Sequence, residues 1–177
     1  MDVLDLIGQC GIKTISGHKV KLYAVCACDI ETWPAYKTTT GVGDSITLDG
    51  DIVLKAGKKW AVLETIVDTG KLTETEVGEI GSQVIQSMYE LKFPKTIASD
   101  EWVNKTPNAC LVLLVEDKDG NKRLIGSKDV PAIRTAAVGA NGALLTDAKN
   151  WAFTYTANTG DVAPYYEADA AIDLTGA

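Results

Sequence analysis

The chain has 177 residues, 46% of them hydrophobic, and a formal net charge of −7. That length supports one domain with a substantial core, and no apolar run approaches the roughly 18 residues a membrane helix needs. An acidic chain has no electrostatic grip on nucleic-acid phosphates, although like charge lets nucleic acid pass without sticking.

Met1-Asp2-Val3 opens acid-first with no basic flank, which predicts no secretory signal. The four cysteines, Cys10, Cys26, Cys28 and Cys110, accordingly read as reduced thiols in a reducing compartment. Residues 2–9 carry a helical signal, with Asp2 as N-cap and Gly11 as stop. After Gly17, Val20, Leu22, Ala24, Cys26, Cys28 and Ile30 alternate with Lys19, Lys21, Tyr23 and Asp29. This period-2 pattern predicts a half-buried strand with both cysteines as small core residues. Trp33-Pro34 and TTTGVGD break it with turn chemistry.

Ile46, Leu48, Ile52 and Leu54 next alternate with Thr47, Asp49, Asp51 and Lys55 around Gly50, a strand with a bulge or bend. The short link Ala56-Gly57-Lys58 makes the following strand its antiparallel neighbour. That strand has Trp60, Val62 and Ile66 on one parity and Ala61, Leu63 and Val67 on the other. Apolar character on both faces predicts cover from both sides, by a second sheet or a neighbouring subunit. Residues 70–81 follow as a projecting, solvated loop, with Glu74, Glu76 and Glu79 against a single Lys71. Ile85, Tyr89, Leu91 and Phe93 then share one parity of a second long strand.

Ser99 is expected to cap a short helix over 99–105, ended by Pro107. Residues 108–116 (NACLVLLVE) read as a buried strand, DKDGN as a turn, and 122–126 (KRLIG) as the hairpin partner. Residues 131–141 are small and glycine-punctuated, and Trp151, Phe153 and Tyr155 mark the last clear strand. The segment 158–177 holds Asp161, Glu167, Asp169 and Asp173 and no Lys or Arg. About seven strands, one short helix and no βαβ alternation predict a mainly-β antiparallel sandwich or barrel. We expect a single domain over 1–177, with an N-terminal arm at 1–17 and an acidic C-terminal segment.

Chemistry-bearing patterns are sparse. His18 is the single histidine and cannot supply both a base and a metal site; beside Gly17 it reads as a surface or turn residue. Neither a Gly-x-Ser-x-Gly elbow nor a phosphate loop is present. Cys26-x-Cys28 with the other cysteines far away is poor zinc spacing. DKDGN has its glycine fourth and Lys128 where a calcium loop needs glutamate, so it reads as a hairpin turn. Asn104-Lys105-Thr106 fits a glycosylation sequon without a secretory context. Scattered acids show no convergent spacing for a glycosidase pair. Tyr165-Tyr166 suits an interface anchor better than a sugar platform. The expectation is a non-enzyme with no cofactor and no metal.

In organisation the chain resembles virion structural proteins of tailed bacteriophages, above all tail tube proteins. The resemblance rests on the arm DVLDLIGQCGIKT, an early strand pair, and a long hairpin with an acidic loop between Gly70 and Gly81. The short helix near 99–105 and the late stretch GSKDVPA…GANGALLTDAKNWAFTYTA complete it. It implies a small β domain that closes into rings, commonly hexameric, which stack and conduct DNA down an acidic lumen. The implied partners are further copies of the chain, other tail proteins and DNA in transit. The implied location is the virion tail, assembled in the host cytoplasm without a membrane. On this reading Trp60, Val62, Ile66, Glu74, Glu76, Glu79, Tyr165 and Tyr166 are expected at inter-subunit contacts. Asp49 and Asp51, opposite the core face of their strand, are expected in the lumen. The alternatives are a head-decoration, connector or tail-terminator protein, and, outside viruses, a β-sandwich ligand-binding module or small hydrolase.

Overall fold

The computed structural model describes residues 17–144 and 147–167. The expected helix at 2–9, Cys10, the arm up to residue 16, and Asp169 and Asp173 lie outside them. The chain forms β1 (Lys21–Cys26), β2 (Ile30–Thr32), β3 (Ala35–Tyr36), β4 (Thr47–Asp49), β5 (Val53–Leu54), β6 (Ala61–Glu64), β7 (Lys71–Val77) and β8 (Val84–Pro94). Helix α1 (Ile97–Lys105) follows, then β9 (Leu111–Glu116), β10 (Lys122–Ile125), β11 (Ile133–Ala140), β12 (Asn150–Thr159) and β13 (Tyr165–Tyr166). A seven-stranded sheet runs in the order β3-β4-β13-β10-β9-β1-β6, a four-stranded sheet in the order β11-β12-β8-β7, and β2 pairs with β5. The fold is mainly β and sandwich-like, as the alternating patterns predict, and the sheets do not close into a barrel. β13 and β4 form a parallel pair within an otherwise antiparallel sheet.

The larger core lies between the two main sheets. Leu22, Ala24, Leu111, Leu113, Val115 and Ile125 from one meet Tyr89, Leu91, Phe93, Phe153, Tyr155 and Ala157 from the other. A second cluster covers the opposite face of the seven-stranded sheet, where Val112, Leu114 and Leu124 pack with Val25, Ile30, Leu48, Ile52, Trp60 and Tyr166. β9 is therefore apolar at consecutive positions because both its faces are covered. Each large side chain fully buried here contributes about 1.5–3 kcal/mol relative to exposure.

Helix α1 packs Trp102 and Val103 against the larger core. Its N-cap is Thr96, whose side chain accepts from the Ser99 N–H while the Ser99 hydroxyl accepts from the Thr96 N–H. Ser99 thus sits inside the first turn and not at the cap position expected for it; the reciprocal pair satisfies two end donors at once. Trp151 Nε1 donates to Asp100 Oδ1 at 2.6 Å and Trp102 Nε1 donates to the Tyr155 hydroxyl at 3.2 Å, fastening the helix to β12.

Several sequence expectations need correction, each for a local reason. The first strand does not run straight to Ile30: a 3-10 turn over Ala27–Asp29 interrupts it and leaves Cys28 exposed, while Val25 and Ala27, on the opposite parity, are buried in the second core. The run around Gly50 is two strands, β4 and β5, in different sheets, with Gly50 at φ 110° in the corner. The strands either side of Ala56-Gly57-Lys58 are not neighbours. Leu54 pairs with Ile30 and Ala61 with Ala24, so β5 and β6 run successively along the bent β1–β2 segment. β6 is only four residues long, lies at a sheet edge and exposes Val62. The acidic stretch 70–81 is no projecting loop. β7 pairs with β8 from Lys71↔Glu90 to Val77↔Val84, leaving a turn over 78–83. A side chain at Gly78 (φ 117°) would meet the Ser82 carbonyl at 2.5 Å, so glycine is required there.

Candidate functional site

Sheet edges are where this fold leaves backbone groups open. The Thr65 N–H donates to the Val20 carbonyl at 2.8 Å, whereas the Ile66 N–H turns the other way, to the Lys92 carbonyl at 2.8 Å. Carried back along β6, this alternation points the Val62 and Glu64 backbone groups away from β1. They face a groove of about 590 Å³ whose walls include Leu63, Phe93, Pro94, Trp102 and Phe153, with Thr96, Ser99 and the exposed Glu64 as its polar residues. Edge β3 has two residues, and edge β7 carries Lys71, Glu74 and Glu76. Edge β11 differs: beyond a register shift at Arg134/Ala136 it runs Ala136-Ala137-Val138-Gly139-Ala140 without a charge, all exposed. Its Gly139 lies under the Trp151 ring, where a Cβ would come within 2.8 Å of the indole, so the strand is held close to β12. A long uncharged edge is the kind that pairs with another chain.

The residues expected at subunit contacts fall into two groups. Trp60 and Tyr166, at 5% and 7% exposure, are interior, and the Tyr166 hydroxyl accepts from the Ile52 N–H at 3.1 Å. Their bulk serves this chain's own second core, which corrects their reading as interface anchors. Glu74 is also internal. Its carboxylate accepts from the Ala163 N–H at 2.7 Å and from Arg123 Nη2 at 3.1 Å, while Arg123 donates to the Ala163 carbonyl and lies over the half-buried Tyr165 ring. Glu74 shares the inner face of β7 with Leu72, opposite Ser87 and Tyr89, which is why it reaches β10 across the sandwich. Ile66 is half-buried, whereas Val62, Glu76, Glu79, Asp49 and Asp51 are exposed. Glu76 and Glu79 stand at the hairpin end of β8 and Val62 near its Pro94 end, roughly 30 Å away along the strand. Sequence reasoning missed Arg123 and β11. A lone arginine amid an apolar hairpin signals the first, but small residues leave no amphipathic trace of the second.

His18 is less exposed than a turn residue would be. Its backbone forms an isolated antiparallel bridge with Asp117, its ring meets Tyr89 edge-on at 5.3 Å, and its Nδ1 is buried without a partner among the described residues. Burial lowers its pKa below 6.5, with Asp117 opposing and Arg123 adding to the effect. Protonation therefore favours the unfolded chain. The stability His18 contributes is complete above the unfolded value of 6.5 and is lost as pH falls through the lower folded value. Urea midpoints should fall between about pH 7 and 5.5, and His18→Gln should flatten that slope; an unchanged slope in the variant would assign it to other groups.

Among the described residues, the group of donors close enough to share an ion is Cys26, Cys28 and Asp29, within 4.8 Å of one another. No helix among these residues is long and apolar enough to cross a membrane.

Fold and edges define a mainly-β protein with two main sheets, an edge-strand groove and, among the described residues, an uncharged edge strand without a neighbour. No family model, no curated protein and no solved structure matches the chain.

Proposed function

We propose that this protein is a structural subunit that assembles with copies of itself through its sheet edges. Its particular form is the ring-forming tail tube subunit of a tailed bacteriophage that the sequence resembles, with head-decoration, connector and tail-terminator roles as variants of the same use. The observation that carries the proposal is β11: an eight-residue edge strand with every residue but Arg134 exposed, Val138 65% exposed and no charge from Ala136 to Ala140. Monomeric proteins usually blunt such an edge with charge, proline or shortness, as β7 and β3 do here. A formal charge of −7 also suits a surface past which nucleic acid slides without binding.

One observation favours a second reading. The groove beside β6, at about 590 Å³ and largely apolar, has the size and lining of a small-molecule site, so a ligand-binding module is the alternative. Light scattering after size exclusion, with negative-stain electron microscopy, separates the two. Rings or tubes support the structural subunit, and Val138→Lys should disperse them while circular dichroism stays unchanged. A monomer at every concentration would overturn the structural reading and leave the groove as the functional feature.

A further inference from the structure

The turn over Ala27–Asp29 is made from the sequence Cys-Ala-Cys-Asp, and it brings two thiols face to face. In a straight strand, residues i and i+2 lie on one face roughly 6.5 Å apart, beyond the Cβ separation of about 3.8 Å that a disulfide uses. Here Cys26 ends β1 in extended backbone and Cys28 sits inside the 3-10 turn, which shortens that step. The two Sγ atoms lie 2.6 Å apart. Two thiolates on one zinc ion, each bonded at about 2.3 Å in tetrahedral geometry, would stand roughly 3.7 Å apart. The observed spacing is much nearer to an S–S bond of about 2.05 Å. The surroundings also oppose a bound cation. Lys58 Nζ is 3.0 Å from Asp29 Oδ1, occupying the third donor, and Lys55 Nζ donates to the Cys28 carbonyl at 2.6 Å. Cys28 is exposed and Cys26 half-buried, so an oxidant from solvent reaches the pair.

We propose that Cys26 and Cys28 form a redox dithiol, a modification site that closes to an intramolecular disulfide when met by a peroxide or a low-molecular-weight disulfide. With hydrogen peroxide, one thiolate attacks the O–O bond and becomes a sulfenic acid as hydroxide leaves. The neighbouring thiol then attacks that sulfur, forming the S–S bond and expelling water. Two electrons and two protons pass from the thiols to the peroxide, which ends as two waters. With glutathione disulfide, the first attack leaves a mixed disulfide and one glutathione, and the second cysteine displaces the other glutathione. The hydrogen bond to Cys26 is the first cause holding the Cys28 thiol above its ordinary pKa, followed by burial and by Asp29. Reduced Cys28 therefore keeps its proton and remains directed at Cys26 until an oxidant arrives. In a reducing compartment the pair stays open, and it closes on oxidative exposure.

The full-length protein is treated with glutathione disulfide, denatured, alkylated and digested with trypsin. The peptide spanning residues 22–37 contains both cysteines and no other. We expect it unalkylated and lighter by two hydrogens, with the change reversed by dithiothreitol, while the Cys110 peptide is alkylated or singly glutathionylated. Cys28→Ser should instead accumulate a stable glutathione adduct on Cys26, because the resolving thiol is gone. Stable glutathione on both cysteines of the wild-type peptide, or a crosslink from either to Cys110, would overturn the proposal. So would protection of the thiols from alkylation by zinc alone at one equivalent, which would make the turn a metal site.

Discussion

Phe153→Ala is expected to lower stability by about 3–5 kcal/mol. Phe153 is 1% exposed and stands at the centre of β12, paired with Leu91 on β8 and Ala137 on β11. Its ring meets Phe93 at 5.2 Å, Trp151 at 6.0 Å and Tyr155 at 6.3 Å, and the Arg134 guanidinium lies over it at 5.5 Å. Truncation removes buried apolar area and four ring contacts together, and the sheet backbone on both sides prevents collapse around the gap. Because Phe153 also borders the groove beside β6, water reaches part of the new space, which places the effect nearer 3 than 5 kcal/mol. A urea unfolding midpoint measures it, with Leu114→Ala in the second core as the companion at about 2–5 kcal/mol. A loss below about 1 kcal/mol for Phe153→Ala would mean the two main sheets are not packed through this residue.

The strands that carry this core are the ones legible in the sequence. β8, β9, β10 and β12 combine period-2 alternation or continuous apolar character with clear turns; β9 and β10 form the expected hairpin, whereas β8 pairs with β7 and β12 and not with the strand at 58–67 across a long hairpin. The unread parts fail for physical reasons. β7 has one polar face and glutamates on its core-facing parity, so KLTETEV resembles a solvated loop until Arg123 supplies a partner. β11 after Thr135 holds only alanine, valine and glycine, and small residues on an edge give no contrast between faces. The three-residue turn after β1 interrupts the strand with a local hydrogen bond and leaves Cys28 at the surface instead of in the expected core. Trp60 and Tyr166 show the limit of reading anchors from residue type. Large aromatics suit interfaces and cores equally, and only the register of the surrounding strands decides between them.

Glu74→Leu decides between the two physical pictures of the stretch 70–81. An exposed arm would tolerate the change within about 0.5 kcal/mol. The paired strand does not, because Arg123 would be left without its carboxylate. The side chains of Arg123 and Glu74 are 18% and 21% exposed, between the surface limit of about 0–1 kcal/mol and the 3–5 kcal/mol typical of breaking a fully buried pair. We expect a loss of roughly 2–3 kcal/mol on this interpolation, part of it from the Ala163 N–H that Glu74 also accepts from. Adding Arg123→Leu should recover part of the loss, since the stranded charge disappears, although the Ala163 carbonyl then loses its donors. Glu76→Leu and Glu79→Ala, both exposed, should leave the midpoint within about 0.5 kcal/mol. If all three substitutions behave alike, β7 is not fastened to β10. If only Glu74 is costly, this acidic stretch divides along its length: Glu74 holds the two sheets in register, and Glu76 on the same face and Glu79 in the turn, both exposed, remain available to a neighbouring molecule.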